Sequence, residues 1–238
     1  MEFSLDLPFI RRILTEEQAT ARAEIAALGV VRALENSQER HDSRIASAPD
    51  VGTLACRAGC TWCCYFTVDA RAVEVFRILE FVDRSFTAEE KARVHAEVRA
   101  NAALLKSLDE DERVTRNLKC PFLGNGRCTI YAARPQTCRN YHATNVAGCQ
   151  KAYEEPGNED IDPEFAPLVY QAGTAHVEAF SSALQDAGYD VKVYELNCAL
   201  DAALSQPEAR ARFESQRTPF KGLSGEEVPD EFDDLADS

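Results

Sequence analysis

No stretch of this 238-residue sequence approaches the ~18–20 consecutive apolar residues that a bilayer-spanning helix requires, so membrane insertion is not expected. The N-terminus, Met1-Glu2-Phe3-Ser4-Leu5-Asp6, places its acids first and has neither an apolar signal core nor a small-residue cleavage site, which points to the cytosol. Positive charge is scarce. With 26 Lys and Arg against 40 Asp and Glu the net charge is −14, and a protein without basic patches cannot displace phosphate counterions, so nucleic acid is excluded as a partner. Half of that charge falls in residues 225–238, where Glu226, Glu227, Asp230, Glu231, Asp233, Asp234 and Asp237 face no base; such a run reads as a solvated, disordered acidic tail. Catalytic signatures are missing too. There is no phosphate-binding GxxxxGK[ST], no GxGxxG after a strand, no HExxH and no GxSxG. Nor is there an internal repeat or a long alternating pattern, which leaves little room for sheet.

What the sequence does contain is helical. Apolar residues make up 45% of the chain, enough for a globular core. Ala21, Ile25, Leu28, Val31 and Leu34 recur at helical spacing after a Thr15/Gln18 pair that resembles a capping box. Asn36 to Arg44 is polar, and Ala48-Pro49-Asp50 closes this N-terminal helical segment, residues 1–50. A second helix is expected from Asp69, with Ala72, Val75, Phe76, Leu79 and Val82 as its stripe. A third begins at the capping box Thr87/Glu90 and carries Val94, Val98, Ala102 and Leu105. Further helices are expected from Asp162-Pro163 to Gly188, over Glu195–Leu204 and over Glu208–Ser215, with a short strand at Val191–Tyr194. The fold class is therefore mainly α: helices around an irregular, loop-rich cysteine cluster, with little or no sheet. Residues 51–155 would form the cluster domain with inserted helices, and residues 156–224 C-terminal helices packed on it.

The chemistry lies in sulfur. Eight of the nine cysteines fall between Cys56 and Cys149, as Cys56-x3-Cys60-x2-Cys63-Cys64 and then Cys120, Cys128, Cys138 and Cys149. In a reducing cytosol such a concentration suggests metal rather than disulfides, and the adjacent pair Cys63-Cys64 could bridge only with strain. Eight thiolates suffice for two four-thiolate sites. Cys63 and Cys64 project in different directions, so either they serve different metals or one is not a ligand. Iron, as an iron–sulfur cluster, is favoured narrowly over zinc, because an adjacent pair suits a polynuclear centre. The metal would help to fold residues 120–149, which have little apolar patterning. Arg134 and Arg139 either offset the negative charge of such a site or make weak surface pairs.

Cys56-x3-Cys60-x2-Cys63-Cys64, Cys120-Pro-Phe-Leu, Gly126-Arg-Cys128-Thr-Ile-Tyr131, Arg134-Pro135 and Cys138-Arg-Asn-Tyr141 together resemble the YkgJ-like cysteine cluster family, also labelled CxxCxxCC, a zinc- or iron-chelating domain. The first gap is three residues here, where that label has two. The resemblance implies metal binding and leaves the metal open. The family includes proteins similar to flagellin lysine N-methylases, so it also implies an alternative, a metal-dependent enzyme with a protein partner or substrate.

Trp62, just before Cys63, gives the first cysteines a likeness to the radical S-adenosylmethionine signature. The adjacent Cys64, the helical downstream pattern and the lack of a Gly-Gly-Glu argue against that reading. Trp62 is more simply a hydrophobic cover over the metal. His142 is a candidate ligand or hydrogen-bond donor to one. His176 reads as a core histidine, His95 as solvated, and His41 carries no signal. Cys198, in Leu196-Asn-Cys-Ala-Leu, reads as a buried thiol without metal.

Overall fold

A computed structural model describes residues 4–57, 59–158, 160–161, 163–229 and 231–232. Helix α1 (Leu7–Leu28) starts at Asp6, whose carboxylate accepts the Phe9 N–H at 3.1 Å, with Pro8 in its first turn. Thr15 therefore lies inside the helix instead of capping it, and its hydroxyl donates to the Arg11 carbonyl. Gly29, at φ +81°, separates α1 from α2 (Val30–Ser47), a break that the continuous apolar spacing conceals. Strand β1 (Asp69–Arg71) precedes α3 (Ala72–Ser85), so Asp69 opens a strand and not the helix. Helix α4 (Ala88–Leu105) has the expected Thr87/Glu90 capping box, and a short α5 (Glu110–Val114) follows on its own Asp109/Glu112 box.

The second cysteine stretch contains more regular structure than its patterning suggests. A hairpin joins β2 (Leu123–Gly124) to β3 (Arg127–Cys128), turning at Asn125 and Gly126 with φ of 50° and 69°. Then come α6 (Gln136–Asn140) and α7 (Val146–Glu154). Helix α8 (Pro167–Asp186) starts at Pro167 and not at Pro163, while Asp162 lies outside the described residues. Its N-terminal N–H groups are capped from afar: Asp50 accepts Leu168 N–H at 2.8 Å and Val169 N–H at 3.0 Å. Gly188, at φ +82°, follows its end as expected. Strand β4 (Val193–Glu195) pairs antiparallel with β1, and α9 (Leu196–Ser205) and α10 (Ala209–Glu214) complete the order.

Among the described residues the sheet is limited to those two small pairs, and no helix is long and apolar enough to cross a membrane. One large core joins Leu34, Val75, Ile78, Val98, Leu184, Leu200 and Phe213. A second, between α1 and α8, takes Ile10, Ile13, Ala172, Ala175 and Phe232. The segment read as an acidic tail is tied down where it is described. Glu226 exchanges two backbone hydrogen bonds of 2.9 Å with Val193, Glu227 reaches Lys192 at 3.5 Å, and Phe232 is buried; Asp230 and residues 233–238 lie outside the described residues.

The polar run of α2 is an interior face. Ser37, Gln38 and His41 are almost wholly buried against Glu17 of α1 and His176 of α8. Ser37 donates to Glu17 at 2.8 Å, Arg40 grips the same carboxylate with two bonds of 2.8 Å, and His176 Nε2 lies 2.9 Å from the Ser37 carbonyl. The His41 and His176 rings meet edge to face at 5.3 Å. Burial, the main cause, lowers the pKa of both imidazoles. An unfolded histidine is protonated near pH 6.5, so below that pH the unfolded chain binds more protons than the native one and stability falls, by up to about 1.4 kcal/mol per pH unit for each histidine. The expected result is a steep loss of Tm between pH 6.5 and 5 that becomes shallower in His176→Gln and His41→Gln. An unchanged acid slope in both variants would show that the loss arises elsewhere.

Candidate metal centre

The helices hold the second cysteine stretch by its backbone. Arg77 of α3 donates to the Ala132 carbonyl at 3.1 Å and to Gln38 at 2.6 Å, and Gln38 in turn donates to the Arg134 carbonyl at 3.3 Å. Buried Glu74 accepts the Gln136 N–H at 2.6 Å. Arg139, also buried, donates to the Ala132 and Arg134 carbonyls and to Asp42 of α2 at 2.6 Å. The loop on either side of Cys138 is therefore clamped by polar groups from α2 and α3, a role for Arg139 that neither of its expected readings contains.

The first stretch is threaded onto the second. Gly59, at φ +90°, lets the chain turn so that the Cys60 N–H reaches the Arg57 carbonyl at 2.9 Å. Trp62–Tyr65 then forms one 3-10 turn. Directly after it, the Cys120 N–H donates to the Cys64 carbonyl at 2.8 Å and the Leu118 N–H to the Tyr65 carbonyl at 2.7 Å. On the other side, Ala55 N–H bonds the Ala143 carbonyl at 3.0 Å, and Ala143 N–H points at Cys56 Sγ, 3.3 Å away. The two stretches, far apart in sequence, are thus adjacent strips of backbone.

All nine cysteines are free thiols. Seven of the eight fall into two overlapping groups by which sulfurs bear electrostatically on which. Cys138 is influenced by Cys120, Cys63 and Cys128. Cys149, at the buried face of α7, is influenced by Cys56, Cys60 and Cys63. Cys63 belongs to both lists, and its thiol hydrogen-bonds that of Cys64. Among the described residues no three His, Cys, Asp or Glu side chains are closed into a metal-holding geometry; the thiols gather without converging on one point. The donor set fits soft or borderline metals, being sulfur throughout.

Burial raises these thiols above their ordinary range: Cys120 to about 12, Cys149 to about 11, and Cys138 well above it. For Cys63 the hydrogen bond with Cys64 is the larger cause and burial the second. Opposing this, backbone N–H groups lower the pKa of several sulfurs, among them Ala143 at Cys56, Phe122 at Cys120 and Ile130 at Cys128. Two of these donors sit two residues after their cysteine, a turn that stabilises negative charge on sulfur. Arg134 acts in the same direction at Cys56, Cys63, Cys128 and Cys138. Its guanidinium lies 4.0 Å over the Tyr131 ring. Arg134→Gln is expected to weaken metal affinity about tenfold at neutral pH, a loss that high salt reduces; equal affinity in competitive chelator titrations would remove Arg134 from the site.

Aromatic rings pack together beside the cysteine stretches. Trp62 packs on Tyr153 of α7 at 5.3 Å, and Tyr65 meets the same ring at 5.0 Å. Tyr141 shares a hydrogen bond with Cys149 and packs on Phe165 at 5.3 Å. His142 is held mostly uncharged, with a pKa lowered to about 4 by burial and then by Arg134. Cys198 is buried on α9 beside Ala102 and Leu105, in a separate cluster.

Residues 55–160 match the model of the CxxCxxCC family, described as a "Putative zinc- or iron-chelating domain". A search of curated proteins and a search of solved structures each gave no match.

Proposed function

We infer that Cys56, Cys60, Cys63, Cys64, Cys120, Cys128, Cys138 and Cys149 hold iron, as an iron–sulfur cluster, in a protein of the reducing cytosol. The observation that carries this reading is the position of Cys63, whose sulfur bears on Cys138 of one group and on Cys149 of the other and is paired with that of its neighbour Cys64. A closed mononuclear zinc site uses four ligands and leaves no role for a thiol between two groups. A polynuclear centre uses such a thiol directly. Cys56, Cys60 and Cys149 would serve one end and Cys120, Cys128 and Cys138 the other, with the Cys63-Cys64 pair at the junction.

The chain's own part is to prepare charge and exclude water. Arg134 and the N–H donors of Phe122, Ile130 and Ala143 favour the deprotonated sulfurs that any metal requires. Trp62, Tyr65, Tyr141 and Tyr153 shield them from solvent. When bound, the cluster would supply one-electron chemistry or structural support. Anaerobic purification followed by a visible spectrum and sulfide analysis tests the reading. Brown protein with acid-labile sulfide is expected. Colourless protein with stoichiometric zinc and no sulfide would replace iron with zinc, the other metal that the family description names.

A further inference from the structure

Behind the cluster lies a cavity of about 1010 Å³, within the upper range of small-molecule sites. It opens between α8, the start of α6, strand β1 and the backbone strap of residues 223–229 that runs beside β4. Tyr141, bonded to Cys149 on its other side, forms part of its wall.

Among the described residues, two side chains of its lining bury polar atoms that have no hydrogen-bond partner. Gln136 is 3% exposed, yet neither its amide nitrogen nor its amide oxygen makes a hydrogen bond; its backbone N–H alone is fixed, on Glu74. Arg71 has a buried Nε without an acceptor, and among the described residues its guanidinium makes no ion pair within 4 Å, although it lies in the fields of Glu74 and Glu178. Folded proteins seldom leave a buried amide and a buried guanidinium Nε with nothing to bond, and both point to something that enters the cavity. Acids share the lining. Asp69 lies two residues before Arg71 on β1, and in a strand that spacing puts both side chains on the same face. Glu178 of α8 completes the lining, with one oxygen held by the Glu231 N–H at 2.8 Å. Asp69, Glu178, Asp190, Glu227 and Glu231 of the lining outnumber Arg71, Lys192 and Arg217, and Lys192 is set against Glu227, which leaves the carboxylates in excess and the cavity unfit for a polyanion.

We propose that this cavity binds a small zwitterion, an amino-acid head group, with its carboxylate on Arg71 and the Gln136 amide and its ammonium towards Asp69 and Glu178. The site is independent of which metal the thiols hold. Calorimetric titration of the full metal-loaded chain tests it, using each of the twenty protein amino acids, their carboxamides, their N-acetyl derivatives, and ATP. At least one free amino acid should bind, and its carboxamide and N-acetyl forms should bind about tenfold or more weakly. Arg71→Met and Gln136→Leu should each reduce that binding by a similar factor without changing metal content, and Ser182→Trp, which fills the cavity, should abolish it. If Arg71→Met loses its circular dichroism spectrum, the other two variants decide. Failure of every amino acid to bind, binding unaffected by Gln136→Leu and Ser182→Trp, or binding of ATP alone would overturn the proposal.

Discussion

Cys63→Ser is expected to lose more metal than any other single cysteine substitution, emptying both ends of the cluster, whereas Cys60→Ser and Cys128→Ser each weaken one end. The reason lies in the chain's path. The 3-10 turn Trp62–Tyr65 sits against Cys120, locked by the hydrogen bond from the Cys120 N–H to the Cys64 carbonyl, so residue 63 is held where the two groups of thiols meet. Serine keeps the turn and removes the soft donor. Metal per chain, measured after desalting, should fall furthest in this variant, and Tm should fall with it, because a metal that orders its own site contributes its binding energy to folding, on the order of 10 kcal/mol for a closed thiolate site. A Cys63→Ser protein that retains as much metal as Cys60→Ser would separate the two groups and remove Cys63 from the junction.

Gly173→Ala is expected to destabilise the protein by about 2 kcal/mol, although in an ordinary helix interior the same change gains about 1 kcal/mol. A Cβ on Gly173 would fall 1.6 Å from Asn140 Oδ1, 2.6 Å from its Cγ and 3.2 Å from His41 Nε2. Asn140 cannot simply turn away, since its Nδ2 donates to Thr174 at 3.1 Å and its backbone ends α6, two residues after Cys138. The methyl group would therefore push the cysteine segment off α8. Chemical denaturation measures the change, and metal retention should decline with it. A Gly173→Ala variant at least as stable as the parent would contradict this packing.

What the sequence discloses here is local. Thr87 and Glu90 cap α4 because capping needs only three residues of spacing, and the Asn125-Gly126 turn is set by its own backbone preferences. The concentration of cysteines is legible from residue type and spacing, and the backbones of the two stretches meet at Cys64 and Cys120. The polar run of α2 misleads because its partners are remote: Ser37 meets His176 and Asp42 meets Arg139, and no short-range pattern announces a helix face buried by polar pairing. Helix α8 misleads for the same reason, since Pro163 offers a plausible start while the groups that cap the helix belong to Asp50. Gln136 and Arg71 carry no sequence signal, because being unsatisfied is a property of the folded surroundings.

X-ray absorption at the metal edge of the anaerobically purified chain bears most directly on the central claim, that the protein holds its metal through cysteine sulfur and through no nitrogen or oxygen ligand. The account predicts a shell of sulfur neighbours at about 2.3 Å, diminished in Cys63→Ser. A shell of nitrogen and oxygen at about 2.0–2.2 Å, unchanged by that substitution, would contradict it.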